Sequence, residues 1–468
     1  MDEAGRSEFG RSFWLDTCGD DCTPRPALAG EILTDVVIVG AGFTGLWTAH
    51  YLVSARPDWS IAILEREIAG YGASGRNGGW CTPELPISPG EVLKRFGREA
   101  ARRWQAALYD SVGEIETVLE AEGIDAHFYR GGSMMVALGA HGLPLLEEEW
   151  KAYRKLGVES HYEWWDGPQA RERVNIRKLC GALYCRDTAV LHPGRLVRGL
   201  ARRLERRGVR IYERTPVLDI RAGDGRKPPE AVTKEGLARA RVALVVATEG
   251  YTTMLKPWHR SVTPVYSSIV VTEPLPEWVW KEIGWANREA VASTRLSIDY
   301  LQKTVDGRIL FGGRGEPYHL GSRIRPEYDR NPKVFAKLMA MAREWFPALR
   351  DARFTHGWSG PLGMTRDQIP NVWYDRQSRL AGAWGYVGAG VVGANLAARI
   401  LSTLIWGEEP VWEGVPIVQH QSVRWEPEPF RWLGIRYVQH GLERLDRRAE
   451  RTGKAPRGTS LPERWFRH

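Results

Sequence analysis

The 468-residue chain has no long hydrophobic run. Its first thirty residues are polar and hold no apolar core of a signal peptide, and the other apolar stretches are short or broken by charge. That argues against a membrane-spanning helix and reads as a soluble, cytoplasmic protein. Cysteine is scarce, with five in the whole chain. The number is odd, and the pairs Cys18/Cys22 and Cys180/Cys185 lack the spacing and the histidine neighbours of a zinc site, so all five read as reduced structural thiols and no metal is expected. No Ser/His/Asp set stands out, and no solenoid or propeller period recurs. A net excess of basic charge is largely missing outside the C-terminal stretch as well. Residues 423–468 hold eleven Lys or Arg against six Asp or Glu, which supplies +5 of the formal +8. The remainder is close to neutral with no basic stripe, which argues against nucleic acid as a partner. What the chain does have is bulk: 468 residues at 43% hydrophobic composition predict two domains and a tail.

Val36-Val37-Ile38-Val39 is a short, wholly apolar β-branched run, as suits a parallel strand buried on both faces. Gly40-Ala41-Gly42-Phe43-Thr44-Gly45 follows at once, then a helical stretch from about Leu46 to Ser54, then a second apolar run, Ile61–Leu64, ending on Glu65. This is a βαβ dinucleotide fingerprint. Gly40 serves the tight turn, Gly42 lets backbone approach a pyrophosphate, and Gly45 lets helix and strand pack closely. The helix N-terminus offers unpaired N–H groups and the positive end of its dipole to the phosphates. Glu65, twenty residues past Gly45, is spaced to accept from ribose hydroxyls and to repel a 2′-phosphate, which disfavours NADP. Between FAD and NAD the fingerprint does not choose.

The next segment does. Gly70-Tyr71-Gly72-Ala73-Ser74-Gly75-Arg76-Asn77-Gly78-Gly79-Trp80 is a glycine-dense loop with interleaved polar side chains. It resembles the FAD-dependent amine and amino-acid oxidase family that includes D-amino-acid, glycine and sarcosine oxidases, and the Gly-Ala-Ser-Gly-Arg-Asn-Gly-Gly string is similar to that of the γ-glutamylputrescine oxidase branch. The likeness continues through Leu191-His192-Pro193, Thr215-Pro216-Val217, the strand Arg241–Ala247 ending in Thr248-Glu249-Gly250, Trp358-Ser359-Gly360, and Gly385-Tyr386-Val387-Gly388-Ala389-Gly390, over about residues 33–410. Glu249 stands where a smaller polar residue is expected. The resemblance implies that FAD is held by Gly40, Gly42, Phe43, Thr44, Gly45, Glu65, Arg66, Gly72, Ala73, Ser74, Arg76, Asn77, Gly78 and Gly79. Later in the chain it adds Val217, Thr248, Gly250, Trp358, Leu362, Gly388, Gly390 and Val391. It also implies that the helix after Gly390 faces the flavin pyrimidine with its positive end. The sarcosine oxidase branch attaches flavin through a cysteine in the segment matching Trp358–Pro370, where this chain has none, so FAD is expected to be noncovalent.

The resemblance further implies an α/β fold with a discontinuous Rossmann-like FAD-binding domain (33–90, 190–260 and 355–410). An α+β substrate domain (91–189 and 261–354) would place a mainly antiparallel sheet over the flavin, leaving 411–468 as a basic extension. It implies oxidation of a CH–NH or CH–NH2 group by hydride transfer to flavin N5. Amino-acid oxidising members clamp the α-carboxylate with arginine at two positions that here are Leu362 and Gly388, which favours a small primary or secondary amine as substrate. Tyr300 and Arg314 are the catalytic candidates. Each also has a plainer reading, core packing for Tyr300 and a surface ion pair for Arg314. His192 reads as a turn residue, and the tryptophans of the substrate stretches, Trp164, Trp165, Trp278, Trp280 and Trp285, read as core rather than as a cage for a cation.

In the extension Ile435, Val438, Leu442, Leu445 and Ala449 recur at helical spacing among arginines. Such a helix docks on the chain's own body or a second subunit, or lies on an anionic membrane surface. Four functions stay in view: an amine oxidase returning electrons to oxygen as peroxide, a dehydrogenase of the same fold passing electrons to a quinone or carrier, an amino-acid oxidase, and a flavin-bound scaffold without turnover.

Overall fold

Val36–Val39 lies in the strand Gly30–Val39, with Val36, Val37 and Ile38 fully buried. In the computed structural model, which describes residues 9–407, 411–456, 458 and 460–462, this strand pairs in parallel with Ile61–Leu64 on one side and Gly236–Val246 on the other. Arg210–Tyr212 extends the sheet beyond Ile61–Leu64, and Leu380–Trp384 followed by Asn371–Asp375 extends it beyond Gly236–Val246. A hairpin, Val217–Arg221 with Glu230–Thr233, adds two antiparallel strands. One face is covered by the helices Phe43–Ala55, Pro193–Arg206 and Gly390–Trp406, whose apolar residues form one core with Val36, Ile38 and Ile63. Phe43–Ala55 begins three residues earlier than the sequence expectation, because Phe43 and Thr44 already have helical geometry behind the Gly42 N-cap.

The second sheet has the order Phe354–Met364, Thr263–Thr272, Ile309–Arg314, Asp299–Lys303, Ala290–Ser293, Ser133–Leu138, Leu179–Cys185, Tyr162–Asp166. Every pair is antiparallel except Ala290–Ser293 with Ser133–Leu138. The helix Pro332–Trp345 buries Phe335, Leu338 and Trp345 against it. Mixed α/β architecture with two sheets is thus the observed fold class.

Two segments fall differently from the sequence division. Residues 354–364, grouped there with the nucleotide domain from 355, run the length of Thr263–Thr272 as the edge strand of the second sheet, with Trp358 opposite Ile269. The helix Pro89–Ala121, grouped with the substrate stretches, buries Trp104, Leu108 and Ile115 in the core of the first sheet. Tertiary burial sets both, and neither segment carries a local signal for the side it takes. None of Trp164, Trp165, Trp278, Trp280 and Trp285 lines the interior space between the sheets. Trp285 is buried against Phe346, Trp280 lies under the Lys303 ammonium at 4.1 Å, and Trp278 is exposed.

The first described residues brace the glycine loop, and the C-terminal helix braces the second sheet. Near the N-terminus Ser12 Oγ donates to the Gly75 carbonyl at 2.5 Å and Trp14 Nε1 to that of Asn77 at 2.7 Å. At the other end the helix Phe430–Thr452 docks on its own chain, burying Leu442 and Ala449. The buried Asp446 carboxylate accepts from Leu296 N at 3.0 Å and Ser297 N at 2.8 Å, while Arg295 pairs with Glu450 and Lys337 with Glu443. Among the described residues no helix is long and apolar enough to cross a membrane. The thiols of all five cysteines are free, with Cys18 and Cys22 sulfurs 3.8 Å apart. Replacing Asp446 with Ala strands two buried N–H groups, so Asp446→Ala should lower unfolding stability by about 1–3 kcal/mol. Urea titration of the variant beside the unaltered protein measures this.

Candidate active site

A cavity of about 820 Å3 opens at the carboxyl ends of the parallel strands, where Val39, Leu64 and Ala247 line it, and reaches under the second sheet to Ser267, Tyr300 and Arg314. Ligands of open parallel sheets bind at such strand ends. Gly40, at φ +108°, turns the chain where any Cβ would strike the Ala247 carbonyl oxygen, and a Cβ on Gly45 would overlap the Gly40 carbonyl oxygen. Gly42 caps the helix with no side-chain acceptor. Phe43 N donates to Ser74 Oγ at 2.7 Å, and the Thr44 hydroxyl pairs with Tyr386 OH at 2.8 Å. Thr44 N and Gly45 N belong to the first-turn donors that a helix does not satisfy from within.

At the end of Ile61–Leu64 the Glu65 carboxylate lines the cavity and accepts from Ala41 N at 2.8 Å and Glu67 N at 2.9 Å. Burial pushes its carboxyl up to about 7, against the pull of those two donors. Arg66 and Val217 line the same end, the Arg66 guanidinium resting 3.2 Å from Met254 Sδ. Thr248, paired with Thr252 at 2.8 Å, lines it too.

The glycine loop forms one wall through Gly72, Ala73, Ser74, Arg76, Asn77 and Gly78. Two of these side chains are occupied with holding the loop. Arg76 donates to the Tyr71 carbonyl (2.8 Å), Asp329 (2.5 Å) and the Ser359 carbonyl (3.0 Å). Asn77 donates to the Ala73 and Ser74 carbonyls and accepts from Gly79 N. The opposite wall holds Leu362 and the turn Gly388, Gly390 and Val391, where the helix Gly390–Trp406 begins behind Ala389 without a side-chain cap. Four residues of the sequence-derived set stand behind the walls. Gly45 and Gly79 pack backbone on backbone, Gly250 lies against the Leu362–Gly363 peptide, and buried Trp358 donates from Nε1 to the Arg76 carbonyl at 2.9 Å.

On the roof Tyr300 OH pairs with Ser267 Oγ at 2.8 Å, and its ring fills the space left by Gly78 and Gly312. Burial pushes the phenol up to about 12, so it stays neutral. Arg314 sits opposite Ser267 on the neighbouring strand; burial lowers its guanidinium to about 10, which leaves it cationic at neutral pH. His192 lies elsewhere, capping the helix Pro193–Arg206 at Arg195 N, and burial lowers it to about 3, a neutral turn residue.

Among the many cavity residues outside the sequence-derived set, Glu249, Tyr386 and Glu84 stand out. Glu249, at φ +45°, sends one carboxylate oxygen to Gly363 N (2.9 Å) and the other to Gly385 N (2.7 Å), tying the edge strand of the second sheet to the turn before the last helix of the first. Its departure from the expected small residue was the available signal. Tyr386 lay inside the glycine motif at 385–390 without being singled out, and Glu84 carried no signal.

The donor set fits FAD. Two uncapped helix N-termini border one cavity, glycine backbone lies where a pyrophosphate needs close approach, and a carboxylate ends the second strand. The profile of the FAD dependent oxidoreductase family, DAO, matches residues 35–404. The chain belongs to this family and is an FAD-dependent oxidoreductase. It is 27% identical to the probable oxidoreductase OrdL of Haemophilus influenzae over 448 residues, covering 92% of this chain and 96% of that one. It is 27% identical to the γ-glutamylputrescine oxidoreductase of Escherichia coli over 425 residues, 88% of this chain and 94% of the other. Among solved structures, glycine oxidase from Geobacillus kaustophilus superposes with a TM-score of 0.69 at 21% identity, covering 84% of this chain and 99% of that one, which shows a common fold.

If Glu65 accepts from the ribose, Glu65→Ala removes a charge-assisted hydrogen bond of roughly 1.5–3 kcal/mol, and FAD affinity should fall by about tenfold or more. Since hydroxyl donors favour the ionised carboxylate, affinity in the unaltered protein should also weaken as pH falls below about 7 and stay level in Glu65→Ala. Equilibrium dialysis of FAD across pH reads both; unaltered affinity in the variant refutes the ribose contact.

Proposed function

We propose that the chain oxidises a small primary or secondary amine to an imine, which water hydrolyses to an aldehyde or ketone, with oxygen reduced to hydrogen peroxide. The observation that carries this reading is the cavity wall at Leu362 and Gly388. The positions at which amino-acid oxidising members of the family carry arginine here present an isobutyl group and a bare turn at φ +113°. A bidentate clamp for an α-carboxylate is missing from both. The relationship to a γ-glutamylputrescine oxidoreductase, whose name denotes an amine, supports the same direction.

In this reading FAD is held noncovalently by Gly40, Gly42 and Thr44 at the pyrophosphate, Glu65 at the ribose, Val217 at the adenine and Gly388–Val391 at the pyrimidine. Bound there, it supplies a two-electron acceptor for hydride from the carbon attached to nitrogen. The protein's own share is positional. The enclosed space under the second sheet disfavours charge and so favours the neutral amine, the form with a lone pair to assist hydride loss. Tyr300 keeps its proton and orients the amine, and Arg314 faces any acidic group the substrate carries.

Anaerobic stopped-flow bleaching of the flavin by a panel of amines and α-amino acids tests the proposal. Amines should reduce it far faster than glycine or alanine, and rapid reduction by a simple α-amino acid would refute the amine assignment. Arg314→Ala should weaken a substrate with a remote acidic group by about 2–5 kcal/mol and leave a plain amine nearly unaffected. Separately, acid precipitation should leave the flavin in the supernatant; flavin retained on the precipitated chain would contradict noncovalent binding.

A further inference from the structure

Past the glycine loop the chain runs through Thr82-Pro83-Glu84-Leu85-Pro86, and all five residues line the same cavity as Tyr300 and Arg314. This end of the cavity is mostly apolar, with Met134, Met135 and Leu183 contributed by two strands of the second sheet. Two tyrosines join them. Tyr153 comes from the helix Leu143–Leu156, and Tyr162 stacks on it with ring centroids 3.9 Å apart. Glu84 is the one carboxylate in this wall segment, and it is near enough to Tyr153 for its charge to act on the phenol. Protein surrounds Glu84, yet the side chain keeps accessible surface, because the space it faces is the cavity. Burial alone acts on its carboxyl, pushing it up to about 7, with no cation or hydrogen-bond donor offsetting that penalty. The nearest hydroxyl on its own loop, Thr82, is taken up by Thr188 at 3.1 Å.

Glu84 is solvated while the cavity is open and loses that water when a ligand fills it, which is costly unless something pairs with the carboxylate. Among the described residues no ion pair or hydrogen bond engages it, so the partner comes with the ligand. The surroundings specify its chemistry. Apolar walls suit an alkyl chain, aromatic faces and a carboxylate together suit an ammonium, and an anion or a neutral polar group would leave Glu84 uncompensated. A metal ion is not indicated, since among the described residues no three His, Cys, Asp or Glu converge.

We propose that Glu84, with Tyr153 and Tyr162, forms a cation subsite that binds a second ammonium group at the far end of the substrate from the carbon being oxidised. The inference rests on the amine reading given above and narrows it to amines with a distal cation. Such a site also orients the substrate: the end that keeps its charge is drawn to Glu84, and the end that must be neutral is left under Tyr300. Glu84 is then a specificity-determining residue that takes no part in the electron transfer.

The test compares α,ω-diamines from propane to hexane with the n-alkylamines of the same length, using the flavin-loaded protein and its Glu84→Gln variant. Apparent Kd comes from the concentration dependence of anaerobic flavin reduction. At least one diamine should bind about tenfold or more tighter than its monoamine in the unaltered protein. Glu84→Gln should remove that advantage while leaving monoamine binding, the limiting reduction rate and the melting temperature unchanged. A diamine preference absent from the unaltered protein, or persisting in Glu84→Gln, overturns the subsite. An equal fall in limiting rate for mono- and diamines also overturns it, because Glu84 would then act at the reacting end. If no amine reduces the flavin, the amine reading fails by itself, and calorimetry with the same diamines still decides the subsite: Glu84-dependent binding sustains it and its absence removes it. If Glu84→Gln does not retain FAD, Glu84→Asp carries the same comparison. Its shorter arm should move the preference to a diamine one methylene longer, and an unmoved preference rejects the proposal.

Discussion

A buried guanidinium persists only where its donors are met, because an unpaired one would cost several kcal/mol in desolvation. Arg76 meets that condition by reaching across the molecule. It holds its own glycine loop at Tyr71, the second sheet at the Ser359 carbonyl, and Asp329 ahead of the helix Pro332–Trp345, while Trp358 donates to its backbone carbonyl. Loop, edge strand and the approach to a helix are thereby fixed relative to one another, and the cavity between the sheets takes its shape from that fixation. Without Arg76 the 70–79 loop would lose its main tie to the roof that carries Tyr300 and Arg314. Glu249 makes the reciprocal tie from the first sheet, using both carboxylate oxygens on the N–H groups of two glycines.

What the sequence discloses follows from how local each determinant is. The turn at Gly40, the helix behind Gly42 and the strand ending at Glu65 are specified within about thirty residues, so motif and geometry agree nearly position for position. Arg76 was legible as a member of a glycine-rich string, but its partner lies 253 residues away and its work as a clamp was not. The same holds for residues 354–364, whose glycines and tryptophan read like part of the nucleotide site and whose backbone completes the other sheet. Glu84 shows the limit most plainly. In sequence it is one acid among prolines, and its isolation emerges only when strands and a helix from three later segments close around it.

The described residues flanking the family match, which runs from 35 to 404, include parts built into the structure rather than appended to it. Asp446 supplies acceptors to two backbone N–H groups of the 296–297 turn, and Asp299, close after that turn, lines the cavity beside Tyr300. The C-terminal helix thus supports the roof from outside, with Leu442 and Ala449 of its apolar stripe buried.

The N-terminal arm has a consequence for how the protein is made. Ser12 and Trp14 grip carbonyls of the glycine loop, which leaves the ribosome soon after them, whereas Gly10 N donates to the Gly357 carbonyl and Phe9 packs on Phe335. Residues 9–14 therefore wait for the chain to extend past Gly357 before they can lock in place. The glycine loop completes its bracing only after the edge strand of the second sheet has been made.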